Sequence, residues 1–229
     1  MSVVILNILC EGQTEDKFAQ TVLKPYLKKY NIIVKTQLLC TSRSKGAFGG
    51  MLSFTQVLLD LSLWMRQNST QSHFENHYYT TMFDLYKLPK NFPAMCDNIT
   101  CHNCYEKIKT IEDGFYERIN NPNFIPYIQL HEFEALVFAK LDELIIDYPD
   151  KIKQIEGLKR QLDIHGNNPE LINCNPETAP SKRLNKALSN YNKTKTGPMV
   201  TQNAGIDYLK GRCPHFKEWI EKIEQLQVF

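Results

Sequence analysis

The chain has 229 residues, room for one large domain or for one domain with an appended subdomain. Hydrophobic residues make up 42%, with 11 Tyr and 12 Phe, which is ample for a core and excludes intrinsic disorder. The net charge of +2 hides an uneven distribution: residues 104–156 hold eleven acids against six bases, and residues 179–217 hold eight bases against one acid.

The first element is a buried strand over residues 3–10, VVILNILC, a β-branched run closed by Glu11-Gly12. It is the longest apolar run, too short for the roughly 20 residues that span a bilayer. The Met-Ser-Val-Val start lacks the charged region and cleavage site of a signal peptide, so a cytoplasmic protein without a membrane segment is expected. Thr14 reads as a helix N-cap, with Phe18, Val22, Leu23 and Leu27 on one apolar face. A second strand follows over 32–39, a Gly/Ser/Lys loop over 41–50 and an apolar helix over 51–66. Residues 78–83 form a third strand, broken off by Pro89 and Pro93; 104–120 form a charged helix and 125–130 a fourth strand. Only helical patterns follow: 132–147, 151–163, 181–191, 203–210 and 214–226. The alternation of strand and helix predicts an α/β fold with a largely parallel sheet flanked by helices, followed by a helical, basic C-terminal part. The division expected is an α/β core over 1–147 and a helical subdomain over 148–229 packed on it.

Seven cysteines in a chain without a secretory signal argue against a disulfide framework. Cys101 and Cys104 have a zinc-ligand spacing, with Cys96 and His102 nearby. No second pair follows to complete a tetrahedron, and Cys174 or Cys213 could join only through long-range folding, so thiols in a helical loop are the expected state.

The acids carry more. Ligands of a parallel α/β sheet gather at the carboxyl ends of its strands. Strand one runs into Glu11, with Glu15 one helical turn later; strand three ends at Asp84; strand four ends in His131-Glu132, with Glu134 two residues on. Carboxylates gathered at one edge repel, and a divalent cation is the usual remedy. All-oxygen donors select Mg²⁺, Mn²⁺ or Ca²⁺ over zinc. Each acid also has a plain structural alternative, as a turn former or a first-turn helix residue; their joint placement favours a metal site.

These residues resemble a known group. Glu11–Glu15 (EGQTE) after an apolar strand is similar to the first motif of Toprim domains and of the nucleases that include the overcoming-lysogenization-defect (OLD) proteins. More closely, the chain resembles a bacterial Toprim-like family of undefined function, through EGQTE, the glycines of 46–50, TMFDLYKLP (81–89) with Phe92-Pro93, YIQLHEFEALVF (127–138), PSKRL (180–184) and CPHFKEW (213–219). The resemblance implies a Toprim-like fold and a nuclease centre dependent on Mg²⁺ or Mn²⁺. Glu11 would be the principal metal ligand or base, Glu15 a supporting acid, Asp84 the strand-three ligand, and Glu132 and Glu134 would complete the metal site. It also implies a partner ATPase of the ABC or AAA type in anti-phage defence. The chain departs from the pattern twice: Asp84-Leu85-Tyr86 offers one carboxylate where many Toprim domains have two, and Lys87 stands where the close family usually has Gly. Lys87 is expected to be solvated.

On this reading Glu15, Glu132 or His131 takes the proton of the attacking water. Lys182, Arg183 and Lys193, with Lys45 a fourth, are the candidates to face the transition-state charge, and Lys45, Arg183 and Lys193 are also expected on the nucleic-acid backbone. The competing reading is a Toprim-shaped regulatory or interaction subunit of an ATPase complex that does not cleave. Topoisomerase or primase chemistry would need further domains for which the chain has no length.

Overall fold

The computed structural model describes residues 3–42, 46–69, 74–95, 103–172 and 178–226. In β1 (Val3–Cys10) every side chain from Val4 onward is buried, as a strand covered on both faces requires. α1 (Gln13–Phe18) widens into a π-helical turn, Ala19–Leu23, before α2 (Lys24–Leu27). The widening sits where Pro25 removes a backbone donor. β2 (Ile32–Leu38) lies parallel to β1, from Val4 opposite Ile32 to Cys10 opposite Leu38. The expected loop over 41–50 contains a small antiparallel pair, β3 (Cys40–Ser42) and β4 (Ala47–Phe48).

α3 (Phe54–Asn68) starts at Ser53, whose Oγ accepts the N–H of Gln56 at 3.3 Å. β5 (Glu75–Asp84) is longer than the sequence indicates and runs parallel to β1 on its other side. α4 (Cys104–Ile119) is followed by β6 (Phe124–Ile125) and β7 (Ile128–Gln129), both parallel to β5. The single strand expected over 125–130 is divided at Pro126, which has no N–H to give to a ladder. The sheet order is β2-β1-β5-β6, with β7 also on β5, and every pairing in it is parallel.

The helix expected over 132–147 is α5 (Glu134–Phe138), a 3₁₀ turn and α6 (Leu144–Asp147). Then come α7 (Ile152–Asp163), α8 (Pro180–Ala187), α9 (Lys193–Ala204), α10 (Ile206–Arg212) and α11 (Pro214–Glu224). α9 falls largely between the helical patterns at 181–191 and 203–210, and it contains Gly197-Pro198, a pair that commonly breaks helices. The helix continues through Pro198 and ends at Gly205, where φ reaches 77°.

The chain is a mixed α/β fold, a mostly parallel sheet between two helical layers. On one face Leu6, Ile8 and Cys10 of β1 pack with Phe18, Phe133, Phe138, Leu184, Val200, Phe216 and Trp219. On the other, Leu9 meets Val57 and Leu61 of α3 and Ile111 and Phe115 of α4. The segment 148–226 therefore shares its core with the first strand and helix. The CPHFKEW motif makes that join: Trp219 stacks on Tyr127 at 4.0 Å, and its indole N–H donates to Thr80 Oγ1 at 2.9 Å. Glu170, from a short 3₁₀ turn, accepts the N–H groups of His215 and Phe216, each at 2.9 Å, and so caps α11. Among the described residues no helix is long and apolar enough to cross a membrane.

Candidate active site

β1 and β5 are neighbours in the sheet, so their carboxyl ends bring Glu11 and Asp84 together. Glu11 Oε2 accepts the Asp84 N–H at 3.0 Å, and the Glu11 carbonyl accepts the N–H of Gly50 at 2.8 Å, which lays the glycine loop against the strand end. Gly12 lets α1 start at once, and Glu15 in its first turn folds back over it. A Cβ on Gly12 would lie 3.1 Å from Glu15 Oε2, so that position is kept small by the carboxylate above it.

Asp84 is fully buried and its Oδ1 accepts the N–H of Phe133 at 2.8 Å. That donor is presented by a sharp turn in which His131 adopts φ 64°, left-handed for a non-glycine residue. Immediately afterwards α5 begins, and the fully buried Glu134 in its first turn joins the group.

Two lysines enter this acid cluster. Lys87 Nζ lies 3.1 Å from Glu11 Oε1 and 3.2 Å from Asp84 Oδ2. Lys193, at the start of α9, lies 3.5 Å from Asp84 Oδ2 and 3.0 Å from Glu134 Oε2, the latter at ion-pair distance without hydrogen-bond alignment. α9 comes this close because residue 197 is glycine: a Cβ there would meet the Phe133 ring at 2.9 Å.

Burial governs the protonation of the cluster. Desolvation first, then the charge of Asp84, push Glu15 up to about 8. Desolvation pushes Glu134 up to about 7, with Lys193 opposing, and raises Glu11 as well. For Lys193 and Lys87 burial works against the charge, but the surrounding carboxylates outweigh it and raise both.

Of the residues singled out from the sequence, the structure thus gathers Glu11, Glu15, Asp84 and Glu134, and adds Lys193, expected on a nucleic-acid surface. Lys87, expected in solvent, spans two carboxylates. Others face elsewhere. Glu132 Oε2 accepts the Ser181 N–H at 3.0 Å, at the start of α8. The His131 ring is buried, its Nε2 is 2.9 Å from the Glu170 carbonyl, and desolvation lowers it to about 4. Lys182 and Arg183 line a cleft between α7 and α8. Lys45, Cys96, Cys101, His102 and Cys174 lie outside the described residues. Cys104 directs its thiol to the Glu170 carbonyl at 3.8 Å, and Cys213 is fully buried. Gly197 and the backbone N–H of Phe133 are the contributors that the sequence did not point to.

A divalent ion matches this group in charge and in donor type. Four carboxylates face two ammonium groups, and Glu15 Oε1 and Glu134 Oε1 are buried with no hydrogen-bond partner. All the donors are hard oxygens, suited to Mg²⁺ or Mn²⁺. As they stand, no three His, Cys, Asp or Glu among the described residues are arranged to hold an ion. The lysines supply the compensating charge, and the Lys87 side chain, 48% exposed, brings its ammonium in from the solvent side.

No curated protein matches the sequence. Among solved structures, the C-terminal region of the Burkholderia pseudomallei OLD protein aligns over 97% of both chains, at 14% identity and a TM-score of 0.44. The model of the family described as Domain of unknown function (DUF4276) matches residues 10–224, almost the entire length, and the chain belongs to that family.

Proposed function

We propose that the protein is a metal-dependent nuclease that hydrolyses phosphodiester bonds of DNA or RNA, the effector subunit of an ATPase-coupled anti-phage system. One observation carries the catalytic reading: four buried carboxylates and two lysines meet at the adjacent carboxyl ends of β1 and β5. The resemblance of Glu11–Glu15 and the other sequence motifs to those of Toprim nucleases supports the choice of substrate and of an ABC- or AAA-type ATPase as partner.

Glu11, Asp84 and Glu134 would hold Mg²⁺ or Mn²⁺. Such an ion, when bound, polarises a phosphate oxygen and acidifies water. The rest falls to the side chains. Asp84, fixed by the Phe133 N–H, stays in place through the reaction. Glu15, whose Oε1 has no competing partner, takes the proton of the attacking water. The water oxygen bonds to phosphorus, the bond to the leaving sugar oxygen breaks, and that oxygen takes up a proton from solvent. Lys193 and Lys87 keep positive charge where negative charge grows on the phosphate.

The non-catalytic reading draws on a specific observation too, the lysines that already balance the acids. One assay separates the two: purified protein, alone and with a candidate ABC- or AAA-type ATPase, incubated with DNA and RNA in Mg²⁺ or Mn²⁺. Cleavage lost in both Glu11→Ala and Asp84→Ala establishes the enzyme. Cleavage that survives both substitutions eliminates this site, and no cleavage under any condition leaves the regulatory subunit.

A further inference from the structure

A cleft lies away from the carboxylates, between α7 and α8, lined in part by Leu158 and Ala187. Its volume is about 450 Å³, within the usual range of small-ligand pockets. Its polar lining is Gln154, Gln161 and Thr178 with three cations, Lys182, Arg183 and Lys186, and no acid among the described residues lines it. Arg183 is held rigidly. Its Nε donates to the Thr178 carbonyl at 2.8 Å, Nη1 to Gln161 Oε1 at 2.7 Å and Nη2 to the Ile172 carbonyl at 3.2 Å. Three of the five guanidinium N–H groups are thereby used and two remain. Among the described residues no carboxylate pairs with it. A fixed, half-buried guanidinium whose described partners are all neutral keeps its charge available to an anion, and its fork suits a phosphate.

The cavity is also tied to the candidate active site. Ser181, at the start of α8, donates its backbone N–H to Glu132, two residues before Glu134. The basic cleft and the acidic cluster are therefore held by one short stretch of chain, residues 131–134.

We infer that the α7–α8 cleft is a phosphate-binding subsite, taking a backbone phosphate of the nucleic-acid strand away from the bond that is cut. The cation pocket follows from its own geometry; the assignment of its phosphate to a substrate strand rests on the nuclease reading. The cleft holds the strand through charge, independently of sequence. Arg183 orients the phosphate and Lys186, on the exposed side of α8, adds attraction.

The test is binding without cleavage. Labelled single-stranded DNA and RNA oligonucleotides are titrated in chelator, with fluorescence anisotropy as the readout, against wild type, Lys186→Glu, Arg183→Lys and Lys109→Glu. Lys109 is an exposed lysine on α4, across the sheet, and reports the effect of net charge alone. Lys186→Glu is expected to weaken binding about tenfold and to lower the salt slope by about one, with Lys109→Glu within about twofold of wild type. Arg183→Lys keeps the charge but loses the fork; its folding is checked by circular dichroism. A parallel arm uses adenosine 5′-monophosphate, followed by chemical shifts of the cleft residues. Oligonucleotide binding that depends on Lys186 supports the strand. Nucleotide binding in the cleft with no such oligonucleotide dependence overturns the strand assignment and leaves a free nucleotide's phosphate as the ligand. Wild-type binding by both Lys186→Glu and folded Arg183→Lys overturns the subsite. Cleft-dependent binding in a protein that never cleaves with metal removes the nuclease reading and keeps the subsite.

Discussion

Among the described residues, two buried acid clusters are built differently. Around Glu170 every oxygen is used: Oε1 accepts the Phe216 N–H, and Oε2 the His215 N–H and the Tyr105 hydroxyl. Nearby His215 Nε2 lies 3.1 Å from Glu112 Oε1. At the ends of β1 and β5 the acids outnumber the bases, and Glu15 buries one oxygen and Glu134 both with no hydrogen bond. A satisfied polar network holds elements together, and an unsatisfied one is a strain that function can use. The first cluster joins α11 to the sheet; the second is the one proposed above as the reaction centre.

That contrast can be broken by substitution. The largest effect is expected at Asp84. Asp84→Asn keeps the size of the side chain and should lower cleavage by about 1,000-fold, about 4 kcal/mol of transition-state stabilisation. Its thermal midpoint should stay within a few degrees of wild type, so paired rate and melting measurements read both halves. Glu170→Ala should do the reverse. It strands two backbone N–H groups and a tyrosine hydroxyl in the interior and should cost about 3 kcal/mol in urea unfolding. Activity per folded molecule should survive. A Glu170→Ala protein as stable as wild type would refute the architectural role.

Gly197→Ala comes next, because it touches both stability and the site. The added methyl must displace the Phe133 ring or α9, at about 1–3 kcal/mol, and Lys193 moves with the helix. Cleavage should fall about tenfold. An unchanged rate would show that Lys193 is not needed where it stands.

The smallest effect sharpens the Glu170 side. Burial opposes the charge on His215, but the Glu112 carboxylate and then Glu170 hold its proton more tightly than usual; the Ile128 carbonyl is 3.2 Å away and the Tyr127 ring stacks on it. Its folded pKa is raised, so its contribution to stability is full below the unfolded histidine value near 6.5 and is lost as pH rises through the folded value. Unfolding midpoints should decline over that window in wild type and more weakly in Glu112→Gln. Equal slopes would remove the pair from the account.

Much of this could be read from the chain. The run from Val3 to Cys10 declares a doubly covered strand, because only burial on both faces tolerates it. Glu11, Glu15 and Asp84 follow from their strands, since a strand end is a place that local pattern can locate. α9 could not be read, because Gly197-Pro198 looks like a break, and the reason for the glycine is the Phe133 ring. Nor could Lys87 be told from a solvated lysine.

The sequence by itself determined the parallel α/β scheme and the edge where acids would gather, since hydrophobic periodicity and strand length are local properties. Tertiary structure alone chose between Glu132 and Glu134, neighbours in sequence that the start of α5 sends to different partners. It alone brought Lys193 to Asp84 across 109 residues. Such pairings depend on how closely two helices approach, and that distance is set by packed side chains that no local pattern encodes.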